Sequence, residues 1–107
     1  MTTDSQAARR EFLEEVSNCI LKDRNATYGD PEDNFQDTAD IWNVVLSKKL
    51  NTKISITDVA AMMIGLKLAR YKSSPLNLDH MIDIGGYAGC GYGCQLRESD
   101  KETQTEE

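Results

Sequence analysis

Residues 59–71 read VAAMMIGLKLARY, and Lys67 and Arg70 are the only charged side chains in this run. A helix over this stretch would be apolar on nearly every side, so we expect it to be the central element of an all-helical core. A charge in such a segment must be paired, hydrated in a cleft or held against a ligand, because unpaired burial is costly. The two cations are therefore the first candidates for a site.

Helical spacing and capping signals predict three more helices around this one. The four predicted helices cover residues 8–22, 31–50, 58–72 and 76–94. Asp30 and Thr57 are the expected N-caps of the second and third helices, and Pro75 is expected to open the fourth. The sequence thus predicts an all-α, four-helix domain over residues 7–96, followed by a disordered acidic tail over residues 97–107.

The apolar positions of the first two helices predict which of their faces are buried. These positions are Phe12, Val16, Cys19 and Ile20 in the first helix and Phe35, Ala39, Trp42, Val45, Leu46 and Leu50 in the second. In the fourth helix, Gly85, Gly86, Gly89 and Gly93 share one stripe, although each mid-helix glycine costs roughly 0.5–1 kcal/mol. We expect a neighbouring helix to approach this stripe closely. The stripe and the short chain favour a homodimer or a larger helical assembly.

Composition excludes some classes of function. The chain has 107 residues and a net charge of −6, with 12 basic and 18 acidic side chains, which argues against bulk nucleic-acid binding through phosphate neutralisation. A small phosphorylated ligand remains compatible with this charge, because a few positioned cations can bind it. The N-terminal residues lack the features of a secretory signal and no apolar run is long enough for a membrane span, so we expect a cytoplasmic protein.

The cysteines and the single histidine give no catalytic or metal-binding pattern. The spacing Cys90-x-x-x-Cys94 is not that of a zinc site, and the third thiol, Cys19, stands far away in the chain. We therefore expect thiols packed between helices. His80 is predicted to lie on the surface.

The third and fourth helices bring two cations and two aspartates together. In an antiparallel hairpin about Ser74-Pro75, Arg70 would lie near Asp79 and Lys67 near Asp83. Two interpretations stay open. The ion pairs could simply set the helix register, or the cluster could open into a cleft in which the aspartates hold Mg²⁺ and the cations hold phosphate oxygens.

A second polar cluster surrounds the junction of the first two helices. It consists of Arg24, Tyr28, Gly29, Asp30 and Asn34. Gly29 permits a positive φ, and the free amides at the start of the second helix favour an anion next to Arg24. The alternative is a capped turn between helices with no ligand.

Three blocks of the chain resemble a small family of uncharacterised bacteriophage and prophage proteins. The blocks are Arg24-x-x-x-Tyr28-Gly29-Asp30-Pro31-x-x-Asn34-Phe35, then Asp58-Val59-Ala60 with Lys67-x-x-Arg70, and Asp79-x-x-x-Asp83-x-x-Gly86-Tyr87. The resemblance covers roughly residues 12–90. It implies a phage-encoded protein that works in the host cytoplasm.

More remotely, the last block resembles the acidic helix of all-α nucleoside triphosphate pyrophosphohydrolases of the MazG type. That resemblance implies Mg²⁺ held by Asp79 and Asp83, and release of pyrophosphate from a nucleotide. The Glu-x-x-Glu that those enzymes carry on the partner helix is absent, because Lys67 and Arg70 occupy that helix here.

The sequence is compatible with three functions. The first is a MazG-like nucleotide-handling protein or pyrophosphohydrolase whose ligand is bound by Arg24, Tyr28, Asn34, Lys67, Arg70 and Tyr87. The second is a non-catalytic protein that sequesters a nucleotide signal. The third is a protein that binds and inhibits a host defence or replication protein.

Overall fold

In the computed structural model, residues 4–21 and 29–106 are described, and their regular structure is entirely helical. The helices are α1 (Ser5–Ile20), α2 (Pro31–Val45), α3 (Ile56–Ser73) and α4 (Asp79–Glu106). The predicted all-α, four-helix architecture is confirmed. None of these helices is both long enough and apolar enough to cross a membrane.

Local sequence explains where the first two helices begin. The carboxylate of Asp4 accepts the amides of Gln6 and Ala7 at 2.9 and 3.3 Å, which satisfies two donors at the start of α1. α2 begins at Pro31 as predicted, directly after Asp30 in extended conformation. Asp30 makes no side-chain capping bond to α2.

The starts of α3 and α4 differ from the prediction. Ser55, not Thr57, caps α3: its hydroxyl accepts the amide of Asp58 at 3.1 Å, and the Asp58 carboxylate accepts the amide of Ser55 at 2.9 Å. Pro75 lies in a turn and does not open α4. The fourth helix begins at Asp79, whose amide donates to the Asn77 side chain at 3.0 Å.

The ends of α2 and α4 also differ from the prediction. α2 stops at Val45, which is exposed, and turns replace the predicted helix as far as residue 49. α4 continues to Glu106, where the sequence predicted a disordered tail. No proline or glycine follows Gly93 in the chain, so nothing interrupts a helix that is already formed.

α4 is the element on which the other helices pack. It contacts α1, α2 and α3, and its contact with α3 is the most extensive. The buried apolar residues are few: Ala39, Ile56, Val59, Ala60 and Cys94. The core therefore lies where α3 and α4 meet α2.

The glycine stripe of α4 lets α1 pack close to it, and a close approach of a neighbouring helix was predicted. A Cβ atom at Gly85 would stand 2.8 Å from carbon atoms of Phe12 and Val16, and one at Gly89 would stand 2.8 Å from Ile20 Cδ1. Both separations are shorter than side chains tolerate. The neighbour that fills this stripe is therefore a helix of the same chain.

Two polar contacts explain the position of the C-terminal half of α4. The guanidinium of Arg97 donates to the carboxylate of Asp33 at 2.9 Å, and the Glu98 carboxylate accepts the amide of Thr57 at 3.1 Å. The first contact reaches the start of α2, and the second reaches the start of α3. They join this half of α4 to the ends of two other helices.

Candidate functional site

The four helices enclose an open cavity of about 420 Å³. All four helices contribute side chains to its lining, and so does Gly29, which lies directly before α2. The lining residues are Cys19, Ile20, Gly29, Pro31, Asn34, Phe35, Lys67, Asp83, Gly86, Tyr87 and Cys90. A volume of this size is typical of small-molecule sites. It contains part of each of the two polar clusters that the sequence predicted.

The central polar contact of the cavity is the ion pair between Lys67 and Asp83. Lys67 Nζ lies 2.9 Å from Asp83 Oδ2, and the side chains are 14% and 36% exposed. The predicted pairing of these two residues is confirmed. An ammonium group has three donors, so Lys67 can hold Asp83 and still offer hydrogen bonds to a ligand.

The second predicted pair, Arg70 with Asp79, is not formed in the described part of the chain. Both side chains are exposed, and neither lines the cavity. The Lys67–Asp83 pair keeps the predicted register of α3 against α4. Residues 74–78 connect the two helices, and Asp79 is the first residue of α4.

An aromatic pair forms one wall of the cavity. The rings of Phe35 and Tyr87 are stacked, with centroids 6.3 Å apart and an interplanar angle of 29°. Tyr87 was predicted as a ligand-binding residue, whereas Phe35 was predicted only as core. The signal for Phe35 was its position next to Asn34, another lining residue, at the start of α2.

The start of α2 forms the other polar part of the cavity. Gly29 has a φ of +80°, a conformation that glycine adopts without strain, and Asn34 lies one turn into the helix. Asp30 does not cap α2 with its side chain, Pro31 has no N–H, and the amides of Asp33 and Asn34 donate to the Asp30 carbonyl at 3.1 and 3.2 Å. Arg24 and Tyr28, which the sequence assigned to this cluster, lie outside the described residues.

The acidic residues do not form a complete metal site. Asp83 lines the cavity but Asp79 does not, and the described residues contain no group of three His, Cys, Asp or Glu side chains that could hold a metal ion. The described residues therefore do not fit a metal ion held by the protein alone.

The cysteines lie between helices, as predicted. None of the three, all of which are described, forms a disulfide. Cys19 and Cys90 line the cavity, whereas Cys94 is fully buried. Burial raises the pKa of the Cys94 thiol to about 11, and the nearby carboxylate of Glu32 adds to the effect. Cys94 is therefore a packing residue and not a nucleophile.

The surface position predicted for His80 is wrong. His80 is buried, and its Nε2 lies 2.7 Å from the hydroxyl oxygen of Ser74. The same hydroxyl donates to the Arg70 carbonyl at 3.3 Å. The contact joins His80, the second residue of α4, to Ser74, the residue that follows the end of α3.

Comparison with known proteins relates the chain to bacteriophage proteins. It is 42% identical over 79 residues to the Gene 55 protein of Mycobacterium phage D29, an alignment that covers 74% of this chain and 50% of that protein. It is 35% identical over 90 residues to the Gene 55 protein of Mycobacterium phage L5, covering 84% and 56%. The chain thus spans about half the length of these relatives. No solved structure matches it significantly.

A family match covers most of the chain. Residues 11–95 match the family described as a domain of unknown function, DUF6378. The matched segment includes every described residue that lines the cavity. The predicted kinship with phage proteins is confirmed by the two relatives, and the remoter resemblance to MazG-type enzymes stays a prediction. The chain belongs to the DUF6378 family.

Proposed function

We propose that this protein binds a nucleotide, or a closely similar phosphorylated small molecule, in the cavity between its helices. The observation that carries the proposal is the presence of a lysine ammonium and an aromatic wall in one cavity of about 420 Å³. Both suit a nucleotide, because its phosphates attract a cation and its base can stack on an aromatic ring.

Each part of the ligand has a matching part of the cavity. Lys67 donates to a phosphate oxygen with the donors that Asp83 does not use. The positive end of the α2 dipole favours the same negative charge. Tyr87 offers a ring to the base, and the amide of Asn34 can donate to and accept from a base edge or a sugar hydroxyl.

Magnesium enters this proposal only together with the ligand. Mg²⁺ is commonly bound by one or two carboxylates and by the phosphates of a nucleotide, so Asp83 would serve as a single protein ligand. Asp79, the second predicted ligand, lies outside the cavity lining. Pyrophosphate release of the MazG type would need more carboxylates around the metal ion than this cavity provides. Binding without turnover is therefore the function we favour.

The relatives suggest where such binding would act. Both are proteins of mycobacteriophages. A phage protein that sequesters a nucleotide would act on the host's nucleotide pool or on a nucleotide signal. Capture of a host defence or replication protein is the alternative, and the experiment below separates the two.

The experiment is calorimetric titration with ribo- and deoxyribonucleoside mono- and triphosphates, with and without Mg²⁺. Lys67→Met should weaken binding by about tenfold or more, because a charge-assisted hydrogen bond contributes roughly 1.5–3 kcal/mol. Arg70→Met is the matched control: it removes one cation of the same helix outside the cavity, and its affinity should stay close to that of the wild type.

Two results would contradict the proposal. The first is the absence of binding by the wild-type chain for every nucleotide in the panel, which would favour the host-protein alternative. The second is an equal loss of affinity in both variants, which would mean that binding reflects general charge. Measurement of pyrophosphate in the same samples tests turnover. Any Mg²⁺-dependent release that is abolished by Asp83→Asn would show that the protein is an enzyme.

A further inference from the structure

The positive and negative charges in the lining of the cavity are balanced. Among the described residues that line it, Lys67 is the one with a positive charge and Asp83 the one with a negative charge. Their charged atoms are 2.9 Å apart, so the ammonium that a phosphate would use already has a counter-charge. Each further negative charge on a ligand must therefore leave water without a counter-charge of its own, which is costly.

The start of α2 adds little positive charge to this balance. A helix dipole is equivalent to roughly half an elementary charge at the N-terminus. The first turn of α2 already carries two carboxylates, those of Glu32 and Asp33. Asp33 is bound to Arg97, whose guanidinium is not part of the described lining of the cavity. The described lining thus suits a ligand with one negative charge better than a ligand with several.

The expected positions of the phosphate and the base lie close together. Asp83, which binds Lys67, and Tyr87 are four residues apart on α4, so their Cβ atoms are roughly 5–6 Å apart on one side of the helix. Phe35 stacks on the Tyr87 ring at a centroid distance of 6.3 Å, which leaves the other face of that ring for one base. This spacing favours a compact nucleotide whose phosphate stays next to its sugar and base.

We propose that the preferred ligand of the cavity is a cyclic mononucleotide, and that Asp83 discriminates against nucleotides with more negative charge. The phosphate of a cyclic mononucleotide is a diester with a single negative charge, held against the sugar by its own ring. A diester oxygen accepts a hydrogen bond from Lys67 while the base stacks on Tyr87. The proposal rests on the proposed function, because it specifies the nucleotide for the same cavity.

Asp83 acts on the ligand through the shared ammonium. A phosphate oxygen that accepts from Nζ of Lys67 comes next to the Asp83 carboxylate, which lies 2.9 Å from the same nitrogen. The two negative groups repel each other, and the repulsion grows with the charge of the phosphate. A phosphate monoester carries about −1.5 to −2 charges at pH 7, and a triphosphate carries more. Asp83 therefore penalises both of these ligands more than a diester.

The test is calorimetric titration of the full chain, without Mg²⁺, with cyclic AMP, AMP, ATP and their guanine counterparts. For each base that binds, the cyclic ester should bind at least about tenfold more tightly than the monoester and the triphosphate, which corresponds to about 1.4 kcal/mol. If AMP or ATP binds as tightly as cyclic AMP, the cyclic preference is wrong while nucleotide binding stands. If no ligand of the panel binds, the proposed function fails as well.

Asp83→Asn tests the discrimination directly. The substitution leaves Lys67 without its counter-charge, so the preference for cyclic AMP over AMP should fall at least about tenfold. Asp79→Asn is the matched control, because it is the same change one turn earlier on α4, outside the cavity lining, and it should keep the wild-type preference. A preference that Asp83→Asn leaves unchanged, or that falls equally in both variants, would show that Asp83 does not discriminate.

The wild-type chain gives a second measurement in case Asp83→Asn fails to fold. A phosphate monoester takes up a proton near pH 6, about where its second pKa lies, whereas a diester has no such proton. The advantage of cyclic AMP over AMP should therefore shrink as the pH falls from about 7.5 to about 5.5. Both ligands meet the same titratable side chains of the cavity lining, namely Cys19, Lys67, Asp83, Tyr87 and Cys90. An advantage that stays constant over this range would overturn the proposal.

Discussion

The ion pair between Lys67 and Asp83 gives the most direct test of the structure, because the two side chains differ in exposure. The atoms are 2.9 Å apart, and Lys67 is 14% exposed whereas Asp83 is 36% exposed. Removal of one partner costs about 0–1 kcal/mol in an exposed pair and about 3–5 kcal/mol in a buried pair. This pair lies between those limits.

The two single substitutions should therefore have unequal effects. Asp83→Asn leaves the less exposed ammonium without its counter-charge, and we expect a loss of about 2–3 kcal/mol in the free energy of unfolding. Lys67→Met leaves the carboxylate that water reaches more easily, and we expect a loss of about 1 kcal/mol. The double variant Lys67→Met/Asp83→Asn should be more stable than the sum of the two single effects predicts.

Urea unfolding followed by circular dichroism measures these differences. All variants should be compared at one protein concentration, since self-association would otherwise change the apparent stability. Arg70→Met is the control and should cost little, because Arg70 is exposed and forms no ion pair with a described residue. The reasoning fails if Lys67→Met is the more damaging change, or if the two single effects are additive.

Three further predictions concern packing, capping and pH. Gly65→Ala should stabilise the chain by about 0.5–1 kcal/mol, because a new Cβ at this position meets open space. Gly85→Ala should destabilise the chain, because its Cβ would meet two side chains of α1. Thermal unfolding measures both effects. Ser55→Ala should cost about 1 kcal/mol in urea unfolding, whereas Thr57→Val should be neutral or stabilising, since that hydroxyl is buried without a described partner. The pKa of Cys94 is raised from 9.0 to about 11, so stability should fall as the pH rises from 9 towards 11, where the unfolded thiol loses a proton that the folded thiol keeps. A Cys94→Ala chain should lack this part of the fall in melting temperature.

The helices could be predicted because their signals are local. Apolar residues at helical spacing, the Asp30-Pro31 start and the uninterrupted apolar run of α3 are all readable from neighbours in the chain. The ion pair between Lys67 and Asp83 followed from the antiparallel arrangement of α3 and α4. The glycine stripe of α4 likewise indicated that another helix comes close.

The wrong predictions concern the start of α3 and the connection between α3 and α4. Local signals made both Ser55 and Thr57 possible caps, and the hydrogen-bond geometry selected Ser55. Pro75 is a common first residue of a helix, yet here it belongs to the turn between α3 and α4. The same turn buries His80 against Ser74. Residues close to such a turn change partners when its length changes by a few positions.

Sequence alone thus determined the helical class of this protein and the need of Lys67 for a counter-charge, because propensity, capping and the cost of burying a charge depend on residue type and near neighbours. The tertiary structure alone decided that Phe35 stacks on Tyr87, that Asp79 and Arg70 stay outside the cavity, and that His80 is buried against Ser74. These features depend on how the helices rotate and cross as they pack, and that choice is made by contacts between residues far apart in the chain.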